Sequence, residues 1–483
     1  MHEPTLDREP TLDLPPGELR ALLEAAADIA ADHLLGLGER PIMDDGTAAE
    51  RAARIHGARA DLPLDGEPIA DLLAAVREVA AAGRHTGPGF FGYVLSPAAP
   101  VGVAGDLIAS ALDQNVTAWR SAPAATEVER TVVRWLGKLV GFHDAAHGLL
   151  TSGGSMANLT ALFVALRSRG GAETDRRRLV AYAGDQVHFS VAKAADLLGV
   201  PLRTVASDAD LRLDPAALRE AIAADARAGR RPFCVVASAG TVATGAVDPL
   251  EAVADVVAEH GLWLHVDGAY GALAAAVPAC APLFAGLERA DSLSLDPHKW
   301  LAAPMDCGSL LMRDAEASRA AFGQGSGDYV EIFEREPAEA FAFWDHGPEL
   351  SRRFRALKVW MILRHHGARR IAATIAKDVG LAAHLAGLVE AAPDFELLAP
   401  PGLSICCFRH VPPALRGDEA ALDAHNARLM SAIQRDGRAY VSNATVHGRF
   451  ALRACIVNFR TTAADVERLL GVAREHAGAA AAG

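Results

Sequence analysis

The chain is poor in the features that mark several protein classes. It has six cysteines in 483 residues, and neither the adjacent Cys406 and Cys407 nor the others fall at zinc-ligand spacing or form a disulfide framework. A reduced, cytoplasmic setting is expected. No run of lysine and arginine with interleaved aromatics occurs, and the formal net charge is −13, which argues against nucleic-acid binding. No basic stretch precedes an apolar run near Met1, so no secretory signal is expected. Two long uncharged runs, residues 85–105 and 268–287, hold several glycines or prolines; they read as buried turns and short segments rather than membrane spans. What is present is a globular composition, 51% hydrophobic and 22% charged, in a chain too long for one simple domain.

Between residues 96 and 369 apolar runs alternate with amphipathic stretches. Strands are expected at 179–182, 233–237, 262–266, 292–295 and 309–312. Asp214-Pro215 and Asp248-Pro249 each read as a helix cap followed by proline at the first helical position. Such alternation builds an α/β fold, a mainly parallel sheet with helices on both faces. Residues 1–95 are expected to form a helical N-terminal arm. Leu19, Leu22, Leu23, Ala26, Ile29 and Ala30 share one helix face there, and a second helix is expected near 69–82. A short echo, Glu-Pro-Thr-Leu-Asp at 3–7 and 9–13, reads as a flexible lead. Residues 370–483 form a small α+β C-terminal domain in this reading, with strands at 403–408 and 450–457 and a closing helix at 463–476.

Chemistry concentrates in five places. Asp296-Pro297-His298-Lys299, followed by Trp300, sets one lysine in a tight turn just after an apolar strand. A lysine so placed is rigid and partly desolvated, as an amine that holds the aldehyde of pyridoxal phosphate must be. An isolated lysine beside a turn proline would more simply be a snorkelling surface residue. The run Trp263-Leu264-His265-Val266-Asp267 reads as a central strand ending in a carboxylate. A pyridine ring serves as an electron sink only while its nitrogen stays protonated, and an aspartate against that nitrogen keeps it so. Capping of a following helix is the plainer role for Asp267. Ala269 is grouped with it at the cofactor. Ser152-Gly153-Gly154-Ser155 precedes an amphipathic helix carrying Leu159, Leu162, Phe163 and Leu166; glycines, a hydroxyl and a helix N-terminus together make a phosphate seat. His188 opens another helix, placed to lie on a planar ring, although a cap or core role is common for such a histidine. Thr241 ends a further apolar strand, within bonding reach of the cofactor.

With these residues in view, the chain resembles the group II pyridoxal-phosphate decarboxylases, the family of aromatic-L-amino-acid and glutamate decarboxylases. The likeness spans residues 87–460 and rests on Asp-Pro-His-Lys-Trp, His-Val-Asp-Gly-Ala-Tyr at 265–270, Asp-Gln-Val-His at 185–188, the stretch 122–136, and Ser-Arg-Arg-Phe-Arg-Ala-Leu-Lys at 351–358. It implies the fold-type I architecture of pyridoxal-phosphate-dependent transferases and decarboxylation of an L-amino acid. It further implies a homodimer with the active site at the subunit interface, the arm packing across the second subunit. By the same resemblance Lys299 is the Schiff-base lysine, Asp267 pairs with the pyridine nitrogen, His188 stacks on the ring, and Gly154, Ser155 and His298 hold the phosphate. Tyr329, in the glycine-rich segment 323–330, matches the mobile-loop tyrosine that protonates the substrate carbon; related aldehyde synthases have phenylalanine there.

Three departures from the aromatic enzymes bear on the substrate. Tyr93-Val94-Leu95-Ser96 replaces Tyr-Phe-Pro-Thr, and Asn115-Val116-Thr117-Ala118 stands where the partner subunit would supply an aromatic wall. Tyr93, Ser96, Asn115 and Thr117 are therefore the expected substrate-binding residues, in a pocket more polar than in those enzymes. Asp296 replaces an asparagine, and a carboxylate there would repel phosphate unless another group intervened. An aminotransferase or aldehyde synthase on the same scaffold, or a cofactor-binding regulatory homologue, are the alternatives. Other patterns are set aside. Gly87-Pro88-Gly89-Phe90-Phe91-Gly92 has the letters of a dinucleotide fingerprint but the wrong flanks, His143 and His147 lack the glutamate of a metalloprotease, and His365-His366 reads as the polar edge of a helix. The arginines of 351–358 suit a charged helix face, or by family position the mouth of the site.

Overall fold

Buried apolar runs become the strands. The computed structural model describes residues 12–43, 46–56, 62–64, 66–143, 146–171, 175–323 and 337–480. Its strands are β1 (Phe90–Phe91), β2 (His147–Thr151), β3 (Leu179–Gly184), β4 (Leu202–Val205), β5 (Arg231–Ser238), β6 (Trp263–Asp267), β7 (Ser292–Leu295), β8 (Gly308–Met312), β9 (Phe395–Leu397), β10 (Ile405–His410), β11 (Tyr440–Val446) and β12 (Arg449–Cys455). The larger sheet has the order β2-β8-β7-β6-β5-β3-β4, with β8 alone running antiparallel to its neighbours. Every residue of β3, β6, β7 and β8 is buried, as a sheet covered on both faces demands. The five strands expected between 179 and 312 are β3, β5, β6, β7 and β8. Edge strand β4, only partly buried, has too weak an apolar pattern to announce itself.

Helices α1 (Pro16–Leu35), α2 (Ala48–His56) and α3 (Ile69–Ala82) form the N-terminal part. The larger sheet is flanked by α4 (Pro100–Leu112), α5 (Pro123–Leu139), α6 (Gly154–Arg169), α7 (Phe189–Leu198), α8 (Pro215–Arg227), α9 (Leu250–His260) and α10 (Ala315–Phe322). Then come α11 (Ala356–Glu390), α12 (Glu419–Asp436) and α13 (Ala463–Ala480). Asp214 caps α8 as expected, accepting from Ala216 N at 2.8 Å with Pro215 in the first turn. Asp248 does not cap α9. Its carboxylate instead accepts from Leu213 N at 2.8 Å and Ser238 N at 2.7 Å, two buried amides with a stronger claim on it. Burial pushes its carboxyl up to about 6.

The second sheet, β1-β11-β12-β10-β9, is antiparallel except where β1 joins β11, Phe90 opposite Tyr440. Residues 90–91, read with the arm, are thus stitched into the C-terminal sheet, and the dinucleotide-like letters around them make no nucleotide turn. The boundary expected after residue 369 falls inside α11, beside Gly367, where φ 73° and ψ 157° interrupt the helix. Among the described residues α11 alone is long and apolar enough to cross a membrane. It is built into the protein instead, burying Val359, Ile362, Ile371, Ile375, Leu385 and Val389.

Candidate active site

The parallel strands place their carboxyl ends along one edge, where open α/β sheets bind ligands. There a cavity of about 510 Å³ is lined by Tyr93, Gly154, Ser155, His188, Thr241, Asp267, Ala269, His298 and Lys299, with Asn158, Phe189, Val242 and Asp296. Nine expected site residues thus share one cavity. Ser96, Asn115 and Thr117 do not reach it within this chain. Ser96 lines a separate cavity with Trp300 and Ile362. Asn115 accepts from Arg352 N at 2.9 Å, and the Thr117 carbonyl accepts from Phe343 N at 2.8 Å. Tyr329 lies outside the described residues.

At one end of the cavity Asp267 is fixed by the register of the sheet. It pairs with Ser294 across β6 and β7, and Ser294 Oγ donates to Asp267 Oδ1 at 3.1 Å. Ala269 N donates to the same oxygen at 3.2 Å, and Asn158 Nδ2 to Oδ2 at 2.8 Å. Burial alone would push this carboxyl up. The charges of Lys299 and His265, with the hydrogen bonds of Asn158 and Ala269, outweigh burial and hold it below the usual carboxylate range.

Behind it a network runs through residues the sequence does not single out. Asn158 Nδ2 also donates to Ser190 Oγ at 3.1 Å, and Ser190 Oγ lies 2.7 Å from His188 Nδ1. His188 is the cap of α7, with its Nδ1 accepting from Ser190 N, and still faces the cavity. His265, two residues before Asp267 and on the same strand face, places Nε2 3.0 Å from Asn158 Oδ1 and Nδ1 2.9 Å from Ser292 Oγ. Only the spacing of His265 and Asp267 on one strand hints at this arrangement. Burial drives His265 down to about 4.

That value has a consequence for stability. The unfolded chain takes up this proton near pH 6.5 and the folded one only near pH 4, so stability is lost as pH falls through that window. Asp378, raised by burial to about 7, acts oppositely, because the folded state keeps its proton. In a His265→Asn variant the acid-side loss should shrink by about 2 kcal/mol at about pH 5 relative to wild type, as read by urea unfolding. Parallel profiles for the two proteins would show that His265 titrates alike folded and unfolded.

At the other end stand Gly153 and Gly154, opening α6. A Cβ on Gly154 would lie 2.9 Å from Ala269 Cβ and 3.0 Å from Asp296 Oδ2, so only glycine leaves this cradle open. In the facing turn Cys307 N donates to His298 Nδ1 at 3.3 Å. Lys299 Nζ lies 3.0 Å from Asp296 Oδ2, and His298 Nε2 lies 3.6 Å from the same oxygen. Burial lowers His298 below the usual imidazole range, against the pull of Asp296. Trp300 stacks on Tyr270 at 5.1 Å and donates to Asp378 at 3.0 Å, fixing the far side of the turn. Thr241 is buried, its hydroxyl 3.2 Å from that of Thr244. Tyr93 sits at φ 53°, a left-handed conformation costly for a side-chain-bearing residue. Arg453 of β12 donates to Tyr93 O at 2.9 Å, Val242 O at 2.6 Å and Ser442 Oγ at 3.1 Å.

Of the basic residues of 351–358, Arg353 is half exposed beside Asp106 and Asp306, whereas the other three are buried and do not line the cavity. Arg352 is buried against Glu129, Arg355 pairs with Glu349 and Asp306, and Lys358 lies 3.0 Å from Asp106. Buried charges require such partners, and all but Glu349 are distant in sequence.

An amine, a fixed carboxylate and a glycine-opened helix start around one cavity fit pyridoxal phosphate. Fold and site together define a fold-type I pyridoxal-phosphate enzyme. The pyridoxal-dependent decarboxylase conserved domain matches residues 53–411. The chain is 35% identical over 464 residues to aromatic-L-amino-acid decarboxylase of Bacillus atrophaeus, covering 95% of each sequence. It is 31% identical to phenylacetaldehyde synthase of a Rosa hybrid cultivar, covering 97% of this chain and 95% of the relative. The crystal structure of Oryza sativa TDC with PLP and tryptamine superposes with a TM-score of 0.90 at 31% identity, over 97% of this chain and 99% of that one. The chain belongs to the pyridoxal-dependent decarboxylase family, and its cofactor is pyridoxal phosphate.

Proposed function

We propose that this protein removes the α-carboxylate of an L-amino acid, yielding the amine and carbon dioxide. The observation that carries this reading is that Lys299 and the ionised Asp267 face one cavity, with the glycine cradle of α6 beside the lysine. When bound, pyridoxal phosphate supplies an electron-poor ring that accepts the electron pair left behind as carbon dioxide departs. Lys299 holds the cofactor through its amine and gives way to the substrate's amine. Asp267, its oxygens fixed by Asn158, Ser294 and Ala269 N, keeps the proton on the ring nitrogen. The helix start at Gly154 and Ser155, with His298, holds the phosphate. His188 bounds the cavity, its imidazole lowered by burial, and Tyr329 returns a proton to the substrate carbon.

The cavity mouth carries Tyr93, Val94, Phe189 and Val242, an apolar rim that favours aromatic or large aliphatic side chains over acidic ones. The resemblance to an aldehyde synthase supports a second outcome on the same site. Incubation with a panel of L-amino acids should release carbon dioxide and amine in equal amounts, with the largest rates for apolar side chains. Accumulation of aldehyde or keto acid would assign the chemistry to the alternatives.

We further read the chain as a cytoplasmic homodimer of three parts, arm, cofactor-binding domain and small C-terminal domain, with the site at the subunit interface. Helices α1 and α3 bury none of their described residues and expose Leu19, Leu23, Leu72, Val76 and Val79. An open apolar groove of about 860 Å³ bears Trp135, Leu139, Val277, Pro278 and Leu363. Unpartnered apolar faces of this extent suit a self-complementary interface. Light scattering on the same preparation should give twice the 50.6 kDa of one chain; a monomer would remove this part of the reading.

A further inference from the structure

Tyr93 borders the cavity and is 49% exposed, yet its side chain is held from several sides. Its hydroxyl lies 3.3 Å from that of Tyr440, a buried residue of β11. The guanidinium of Arg84, between α3 and β1, lies 4.8 Å from the centre of the Tyr93 ring, 5.0 Å from that of Phe90 and 5.5 Å from that of Tyr440. No carboxylate among the described residues pairs with Arg84, so three aromatic faces stand in for a counter-ion. Phe90 and Tyr440 are partners across β1 and β11, and their rings stack at 5.2 Å. A Cβ on Gly92 would come within 2.5 Å of Tyr440 Cδ1, so glycine alone lets that ring lie against the backbone leading to Tyr93. A half-exposed side chain left loose must be ordered when a ligand packs on it, and that ordering costs about two- to tenfold in affinity. Here the ordering is built in.

We propose that Arg84 and Tyr440 are positioning residues that fix Tyr93 at the cavity rim before the substrate arrives, and so set the preference for large apolar side chains. The inference deepens the substrate reading given above and rests on it. Neither residue lines the cavity, so each acts through Tyr93. Arg84 holds the ring by its face and Tyr440 holds it by its hydroxyl, while Arg453 fixes the carbonyl of the same residue. Ring, tip and backbone are thus each tied to a different element. The cluster also has a spectroscopic mark. Of the two phenols Tyr93 ionises first, because its anion accepts from Tyr440 and faces Arg84; it lies below the usual phenol range, whereas burial and the shared bond push Tyr440 up.

The test compares wild type with Arg84→Met, Arg84→Lys and Tyr440→Phe, all loaded with pyridoxal phosphate. For the apolar amino acid turned over fastest, KM should rise about two- to tenfold in Arg84→Met and in Tyr440→Phe, with kcat changed by less than about twofold. Arg84→Lys should recover part of the loss, since a cation returns to the same rings. The inhibition constant of L-alanine, whose methyl group offers the rim little to touch, should stay the same in every variant. Cofactor affinity should also stay at its wild-type value, which a merely loosened fold would not allow. Ultraviolet titration reads the cluster without turnover. The chain has five tyrosines, and the phenolate missing from Tyr93→Phe should appear in wild type below the usual phenol range and move to higher pH in Arg84→Met and Tyr440→Phe. An unmoved phenolate would overturn the proposal, and so would a moved phenolate with wild-type KM, the mark of packing without selection. A wild-type protein that releases no carbon dioxide from any amino acid would instead remove the substrate reading; binding of the same amino acids, followed by visible absorption, then decides, and equal affinities in wild type and variants sink the idea.

Discussion

Lys299→Ala is expected to lose carbon dioxide release by at least about 10³-fold, and with it the visible band of covalently held cofactor. In the proposed function the amine both holds the cofactor and exchanges with the substrate, and no other lysine among the described residues lines the cavity. The fold should survive. Lys299 is about one-fifth exposed, and its recorded ion pair is with Asp296, so the cost is that of one stranded carboxylate, on the order of 1–3 kcal/mol. Lys299→Arg keeps the positive charge beside Asp296 but has no amine to bond an aldehyde. It should therefore match the alanine variant in activity while retaining wild-type stability in urea. Substantial turnover in either variant would end the reading of this site.

Asp267→Asn should reduce kcat by about 10²–10³-fold with a much smaller change in KM. An amide is nearly isosteric with the carboxylate, but it cannot keep a proton on the ring nitrogen. The electron pair left by the departing carboxylate then has no stable destination. Covalent attachment at Lys299 does not need that proton, so the variant should still turn yellow and still be trapped by borohydride. This separates loss of chemistry from loss of cofactor. An Asp267→Asn protein with wild-type kcat would mean that the carboxylate serves only to hold Asn158 and Ser294.

Both residues are legible in the sequence for one reason: each closes or follows a short strand-like run rich in apolar residues, and in a parallel sheet such runs end at the same edge. The glycines at 153–154 and His188 follow from the same logic, since β2 and β3 run in the same direction as β6. Asn158, Ser190 and His265 are not legible. Their meeting depends on which face of α6 rests on the sheet and on the register of β6 against β7, neither of which has a local signature. Arg352, Arg355 and Lys358 mislead because their spacing suits a solvated helix face, while their partners Glu129, Asp306 and Asp106 are fixed only by tertiary packing. Asp248 misleads in the same way, since an aspartate before proline is a cap only if no buried amide competes for it. Ser96, Asn115 and Thr117 rest on family position alone; within one chain Ser96 Oγ donates to Pro97 O and Asn115 Oδ1 accepts from Arg352 N, while the buried Thr117 hydroxyl has no partner.

Arg453 ties the doorway to the remote sheet. One guanidinium, rooted in the middle of β12, hangs both Tyr93 and Val242 by their carbonyls. This part of the cavity lining is thus tied to the carboxyl-terminal third of the molecule. A shift of that sheet relative to the larger one would carry both carbonyls with it, so the shape of the cavity's rim depends on how the two layers lie together.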